Sequence, residues 1–159
     1  MKKHNRRILR ERALQILYAF EMQEDGLSRL ISEILSDVEE GVDKEFCVSL
    51  IKKVISIREE LDAHIKERVN NWEMKRIALM DKLLLRIGIT ELLYFPDIPP
   101  KVSINEVIEI AKNYSTSNSG KFINGILDAI LTELKKTGKL NKTGRGLIEE
   151  TLPKTSSQK

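Results

Sequence analysis

Residues 115–128 read STSNSGKFINGILD, and the Ser-Gly-Lys at the centre has the types a phosphate-binding loop would use. A nucleotide-hydrolysing loop needs Gly, four residues, then Gly-Lys-Ser/Thr, so that backbone N–H groups approach phosphate and a hydroxyl holds magnesium. Here Ser115 stands where the first glycine is required and Phe122 where the hydroxyl is required. The preceding INEVIEIAKNY has a helical pattern where that enzyme fold needs a strand. What remains is a helix start at Asn118, a good N-cap type, that presents Ser119 and Lys121.

Other candidate chemistry is sparse. His4 and His64 are remote from each other and fall in no HExxH pattern, so no metal site is expected. Cys47 is the single cysteine, which excludes an internal disulfide and suits a reducing cytoplasm; inside a helical pattern with no histidine partner it reads as a small buried hydrophobe. Glu59, Glu60 and Glu67 stand at helical spacings among basic neighbours, as on a solvated face. More informative is the basic head, where Lys2, Lys3, Arg6, Arg7, Arg10 and Arg12 face only Glu11, although the whole chain carries just +3. Residues 21–45 are strongly acidic. This asymmetry implies one face for a polyanion. Arginine forks match phosphate oxygens and tyrosine can stack on an unpaired base. Arg7 and Tyr18 fall on one side of a helix, the pairing a single-stranded RNA site needs.

These residues must be carried by helices. With 41% apolar and 32% charged residues and 8 glycines in 159 positions, the chain suits one helix-rich domain. No alternating β-branched run bounded by hairpin turns is present, so an all-α fold of about seven helices is expected. The pattern predicts helices over about 5–23, with Leu9, Ala13, Ile16, Leu17 and Phe20 inward; 27–37; from Asp43 as N-cap; 59–70; and 75–95, the most apolar and central segment. Pro96, Pro99 and Pro100 end that segment. Ser103 and Glu106 have the spacing of a capping box, with Val102 and Val107 as its staple, for a helix to Tyr114. The last helix starts near Asn118. After Thr137 the periodicity is lost and residues 137–159 read as a mobile tail to a helical domain of residues 1–136. The richest apolar stretch is cut by Asp81, Lys82, Arg86 and Glu91, so no membrane span is expected. The basic N-terminus lacks an apolar signal core and is expected to stay on the mature protein.

Two blocks, RRILRERALQILYAFE and DKLLLRIGITELLYFPDIPPKVSINEVIEIAKNYSTSNSGKFINGILD, resemble the NusB family of bacterial transcription antitermination factors. The likeness extends over about residues 5–134, and I-P-P-K-V-x-I-N-E and G-K-F-I-N-G-I-L-D carry most of it. The resemblance implies two packed three-helix groups plus one short helix, no enzymatic activity and no cofactor. It implies pairing with the ribosomal protein NusE on the boxA element of single-stranded RNA, within the transcription elongation complex of ribosomal RNA operons. By motif, the RNA-facing residues would be Arg6, Arg7, Arg10, Tyr18, Asp81, Lys82, Asn118, Ser119, Lys121 and Phe122. Family members often carry an acidic residue where this chain has Asn118 and a larger one at Gly120; the neutral Asn118 is expected to favour RNA. Two alternatives stay open: a homodimer or protein-interaction module whose RNA surface is covered, and a relative of the RNA-binding domain of a ribosomal RNA cytosine methyltransferase.

Overall fold

Asn5 sets where the first helix begins: its side-chain oxygen accepts from the Ile8 amide at 2.9 Å, and α1 (Arg6–Gln23) runs to a left-handed Glu24 at φ 61°. In this computed structural model, which describes residues 4–116 and 118–148, α1 is followed by α2 (Leu27–Ile34), α3 (Val42–Ser56), α4 (Arg58–Lys66), α5 (Asn71–Arg76), α6 (Leu79–Tyr94), α7 (Pro100–Tyr114) and α8 (Ser119–Lys136). The architecture is all-α. α1 packs on α2 and α3, α6 to α8 pack on one another, and the two groups meet where α1 and α3 lie on α6. α4 leans on α6, and the short α5 leans on α4.

The central position of α6 follows from its composition. Every residue from Leu83 to Leu92 is buried, so it is sheathed on all sides as a helix apolar around its circumference must be. Gly88 allows α8 to approach: a Cβ there would stand 2.8 Å from Leu127 Cδ1. The polar exceptions inside α6 are satisfied. Glu91 accepts from Arg10 Nε at 2.7 Å, Arg10 Nη2 at 2.8 Å and Ser103 Oγ at 2.6 Å, which ties α1, α6 and α7 together. Arg86 is forked to Asp62 of α4 at 3.0 and 2.9 Å.

Several local expectations are corrected. The helix expected over 75–95 starts later, at Leu79: Asn70 and Glu73 form a reciprocal capping box that starts a separate α5, which ends at Arg76, and Ile77 and Ala78 are extended before α6. Asp43 lies in the first turn of α3, after Gly41 at the cap, because it is drawn to Arg6 at 3.0 Å. Ser103 is no cap either. Pro100 starts α7 directly, since proline loses nothing at a position whose N–H is unpaired anyway; Ser103 is then a turn inside, with its hydroxyl on Glu91. Beyond Thr137 the described residues run to Ile148. Lys142 Nζ donates to the Glu91 and Phe95 carbonyls at 3.0 and 2.9 Å, serving the bare C-terminal end of α6. The Thr143 amide donates to the Pro96 carbonyl at 3.0 Å, and Gly146 sits so close to that carbonyl that a Cβ would overlap it. Residues 149–159 lie outside the described residues.

Candidate nucleic-acid interface

The basic head is not a bare cationic surface. Arg6 donates to Asp43 and stacks 4.2 Å from the Phe46 ring centroid. Arg7 is forked to Glu106 at 2.7 and 2.9 Å. Arg10 is 2% exposed and forked to Glu91, and Arg12 is forked to Asp37 at 2.8 and 3.3 Å. That last pair holds the Asp37 carboxyl down at about 2. Each arginine thus has a carboxylate brought from another part of the fold. Arg7 keeps half of its side chain in solvent and can turn to a phosphate by exchanging Glu106 for it. Arg10 cannot do so without stripping a buried carboxylate, so the structure makes it an architectural residue. Tyr18 is exposed on α1. It stands roughly 16 Å along the helix from Arg7 at 1.5 Å per residue, too far for both to hold one nucleotide.

A second set of predicted residues does converge. Asp81, Ser119 and Phe122 line one open groove of about 290 Å³ with Trp72, Glu73, Arg76, Ile77, Ala78, Ser115 and Thr116. Its walls are α5, the start of α6 and the α7–α8 turn. Asp81 is buried, accepting from Ser115 Oγ at 2.6 Å and Ser119 Oγ at 2.9 Å; the Thr116 amide donates to Ser119 Oγ at 3.3 Å. Asp81 therefore latches the turn that carries α8, rather than pointing a free carboxylate at a ligand. Asn118 is exposed and makes no capping bond, which leaves its amide for a partner. Lys121 is exposed in the first turn of α8, Phe122 is half-buried and Lys82 is half-buried. Among the described residues Arg76, Lys82 and Lys121 form no ion pair with a carboxylate. Of these three, Arg76 lines the groove itself.

Cys47 is buried, donates to the Leu9 carbonyl at 3.3 Å, and burial pushes its thiol up to about 12, out of nucleophilic range. Among the described residues no cluster of three His, Cys, Asp or Glu could hold a metal ion, and no helix is long and apolar enough to cross a membrane. The loop reading of Ser-Gly-Lys fails in three dimensions as well, since α7, not a strand, precedes it.

A model of the NusB family matches residues 7–132. The chain belongs to the NusB family. Transcription antitermination protein NusB of Chloroherpeton thalassium is 47% identical over 147 residues, 91% of this chain and 70% of that protein. A solved NusB from T. maritima is 36% identical and superposes with a TM-score of 0.76, covering 83% of this chain and 94% of that one. A second fold neighbour, 23% identical with a TM-score of 0.72 over 80% of this chain and 96% of its own, is NusB solved with NusE in complex with dsRNA. The family is one of transcription antitermination factors rather than enzymes.

Within this NusB fold, motif matching found Asp81, Ser119 and Phe122 but missed their neighbours Ser115, Thr116, Trp72 and Arg76. A signal for the last two was present. Asn70 and Glu73 stand at capping-box spacing, and that start places Trp72 and Arg76 four apart on one side of α5. Reading 75–95 as a single helix hid it.

Proposed function

We propose that this protein binds boxA-type single-stranded RNA together with NusE, and so acts in antitermination of ribosomal RNA operons within the transcription elongation complex. The observation that carries this reading is the groove between α5, α6 and the α7–α8 turn. The unpaired Arg76 and the rings of Trp72 and Phe122 line it, and a helix start without a side-chain cap, at Asn118, adjoins it. Lys121 supplies phosphate charge, the first turn of α8 supplies the positive end of a helix dipole, and Phe122 offers a ring face. Asn118 and Lys82 flank them; Arg7 and Tyr18 would meet the strand further along α1. Asp81 and Ser119 shape the turn. Aromatic faces favour unpaired RNA, because a base inside a duplex has both faces covered by its stack. NusE as partner is supported by the related NusB that was solved with it.

A mobility shift tests the reading. A boxA oligonucleotide should bind the protein, and more tightly with NusE present. Lys121→Ala should weaken binding and flatten its log–log salt dependence by about 0.7, the loss of one single-strand phosphate contact. Asn118→Asp should weaken it by repelling phosphate. Equal affinity for a duplex of the same sequence, or a protein that sediments as a dimer and binds no RNA, would overturn it.

A further inference from the structure

The one tryptophan of the chain, Trp72, is 66% exposed and takes no part in the hydrophobic core, although Met74 of α5 and Ile77 just after it do pack against that core. An indole left in water forgoes the largest burial gain any side chain can make. α5 itself buries no residue completely, so Trp72 adds little to the fold. It is nevertheless held firmly. The reciprocal bonds of Asn70 and Glu73, 2.9 and 2.7 Å, fix the first turn of α5. One turn on, the Arg76 guanidinium lies 4.7 Å from the indole centroid. Arg76 has no carboxylate partner among the described residues, unlike the four described arginines of the head. Both side chains line the groove that Phe122 and the Asp81 latch complete.

We infer that Trp72, with Arg76 laid on it, is a stacking platform for one unpaired nucleobase. This rests on the RNA reading above and assigns a subsite to it. The observations fit a base better than other occupants. A flat π surface attracts any nucleobase, and an uncompensated guanidinium beside it can reach the phosphate attached to that base. The groove volume of about 290 Å³ is near the ~300 Å³ lower end of small-ligand clefts, which suits one ring system. The RNA strand would then be held by Phe122 on one wall and by Trp72 and Arg76 on the other, with Lys121 exposed on the same turn of α8 as Phe122.

The single tryptophan makes the test direct. Emission of the intact protein is followed while a single-stranded boxA oligonucleotide is added, and affinity is measured for Trp72→Ala, Trp72→Phe and Arg76→Ala. Stacking should quench the emission in step with binding. Trp72→Ala should lose about 5- to 160-fold in affinity, the range for one base–aromatic stack. Trp72→Phe should lose only a few-fold, with the unfolding midpoint unmoved in both. Arg76→Ala should weaken binding and flatten the salt slope by about 0.7. If Lys121→Ala weakens RNA binding while Trp72→Ala leaves it intact and the emission never changes, the platform is refuted and the RNA reading stands. If Trp72→Ala spares RNA affinity but abolishes association with NusE, the surface is a protein contact instead. If the wild-type chain binds no RNA with or without NusE, both readings fall.

Discussion

Replacing Arg10 separates a fold role from an RNA role. Arg10 belongs to the basic head that motif and charge both assign to RNA, yet it is 2% exposed and forked onto Glu91, which is itself fully buried and also accepts from Ser103. Arg10→Ala would leave that carboxylate without its cation in a dry site. Breaking a buried pair in this way costs about 3–5 kcal/mol, against a total of about 5–15 kcal/mol for a domain. In a protein of this size that is a fall of about 6–20 °C in Tm, at 2–4 °C per kcal/mol. Urea unfolding should show a lower midpoint at unchanged slope. The triple change Arg10→Met, Glu91→Leu, Ser103→Ala, which removes both charges and the dependent hydroxyl, should recover most of the loss, because apolar residues of similar volume often replace a buried pair without cost. RNA affinity of the folded single variant should keep its salt slope. An Arg10→Ala protein with a wild-type urea midpoint and a slope flatter by about 0.7 would refute this reasoning and return Arg10 to the phosphate contacts.

Two further predictions follow from the pairs and the C-terminal segment. Glu106→Gln should free Arg7 from its half-exposed fork; since such pairs are worth about 0.2–1 kcal/mol, boxA affinity should rise about 1.4- to 5-fold with a steeper salt slope, and a fall in affinity would mean that Glu106 orients Arg7 for binding. Lys142 has its amine pushed down to about 8 by burial, against the pull of Glu91 and Asp97. Below pH 8 it is charged folded and unfolded, so the cost of burying that charge is present in full. Between about 8 and the ordinary 10.5 the unfolded chain holds the extra proton, and stability should climb with pH. Denaturant titrations of wild type and Lys142→Met across this window should show the difference shifting in favour of wild type, and a flat difference would exclude the assignment.

Much of the helical framework was legible because periodicity is local. The stripe of α1, the proline stop after Phe95 and the start of α8 depend on residues within a few positions of one another, and all stand in the structure within a residue or two. Where local signals were misread, a tertiary partner had intervened: Asp43 turned to Arg6, and Ser103 turned inward to Glu91. α5 was lost because its six residues are too few for an apolar period to register, and only the capping box marks it.

The functional surface divides along the same line. The amino-acid sequence by itself determined an all-α chain of the NusB family with its motif residues in order, since spacing and residue type are one-dimensional properties. It also showed a basic head, but a formal charge count cannot subtract carboxylates that arrive from far along the chain. Arg10 meets Glu91 across 81 positions and Arg7 meets Glu106 across 99. Only the tertiary structure paired Arg6, Arg7, Arg10 and Arg12 with carboxylates and left Arg76, Lys82 and Lys121 without carboxylate partners among the described residues. It alone set Trp72 and Phe122 in one groove, because which helix faces meet is decided by packing around α6 and not by any local pattern.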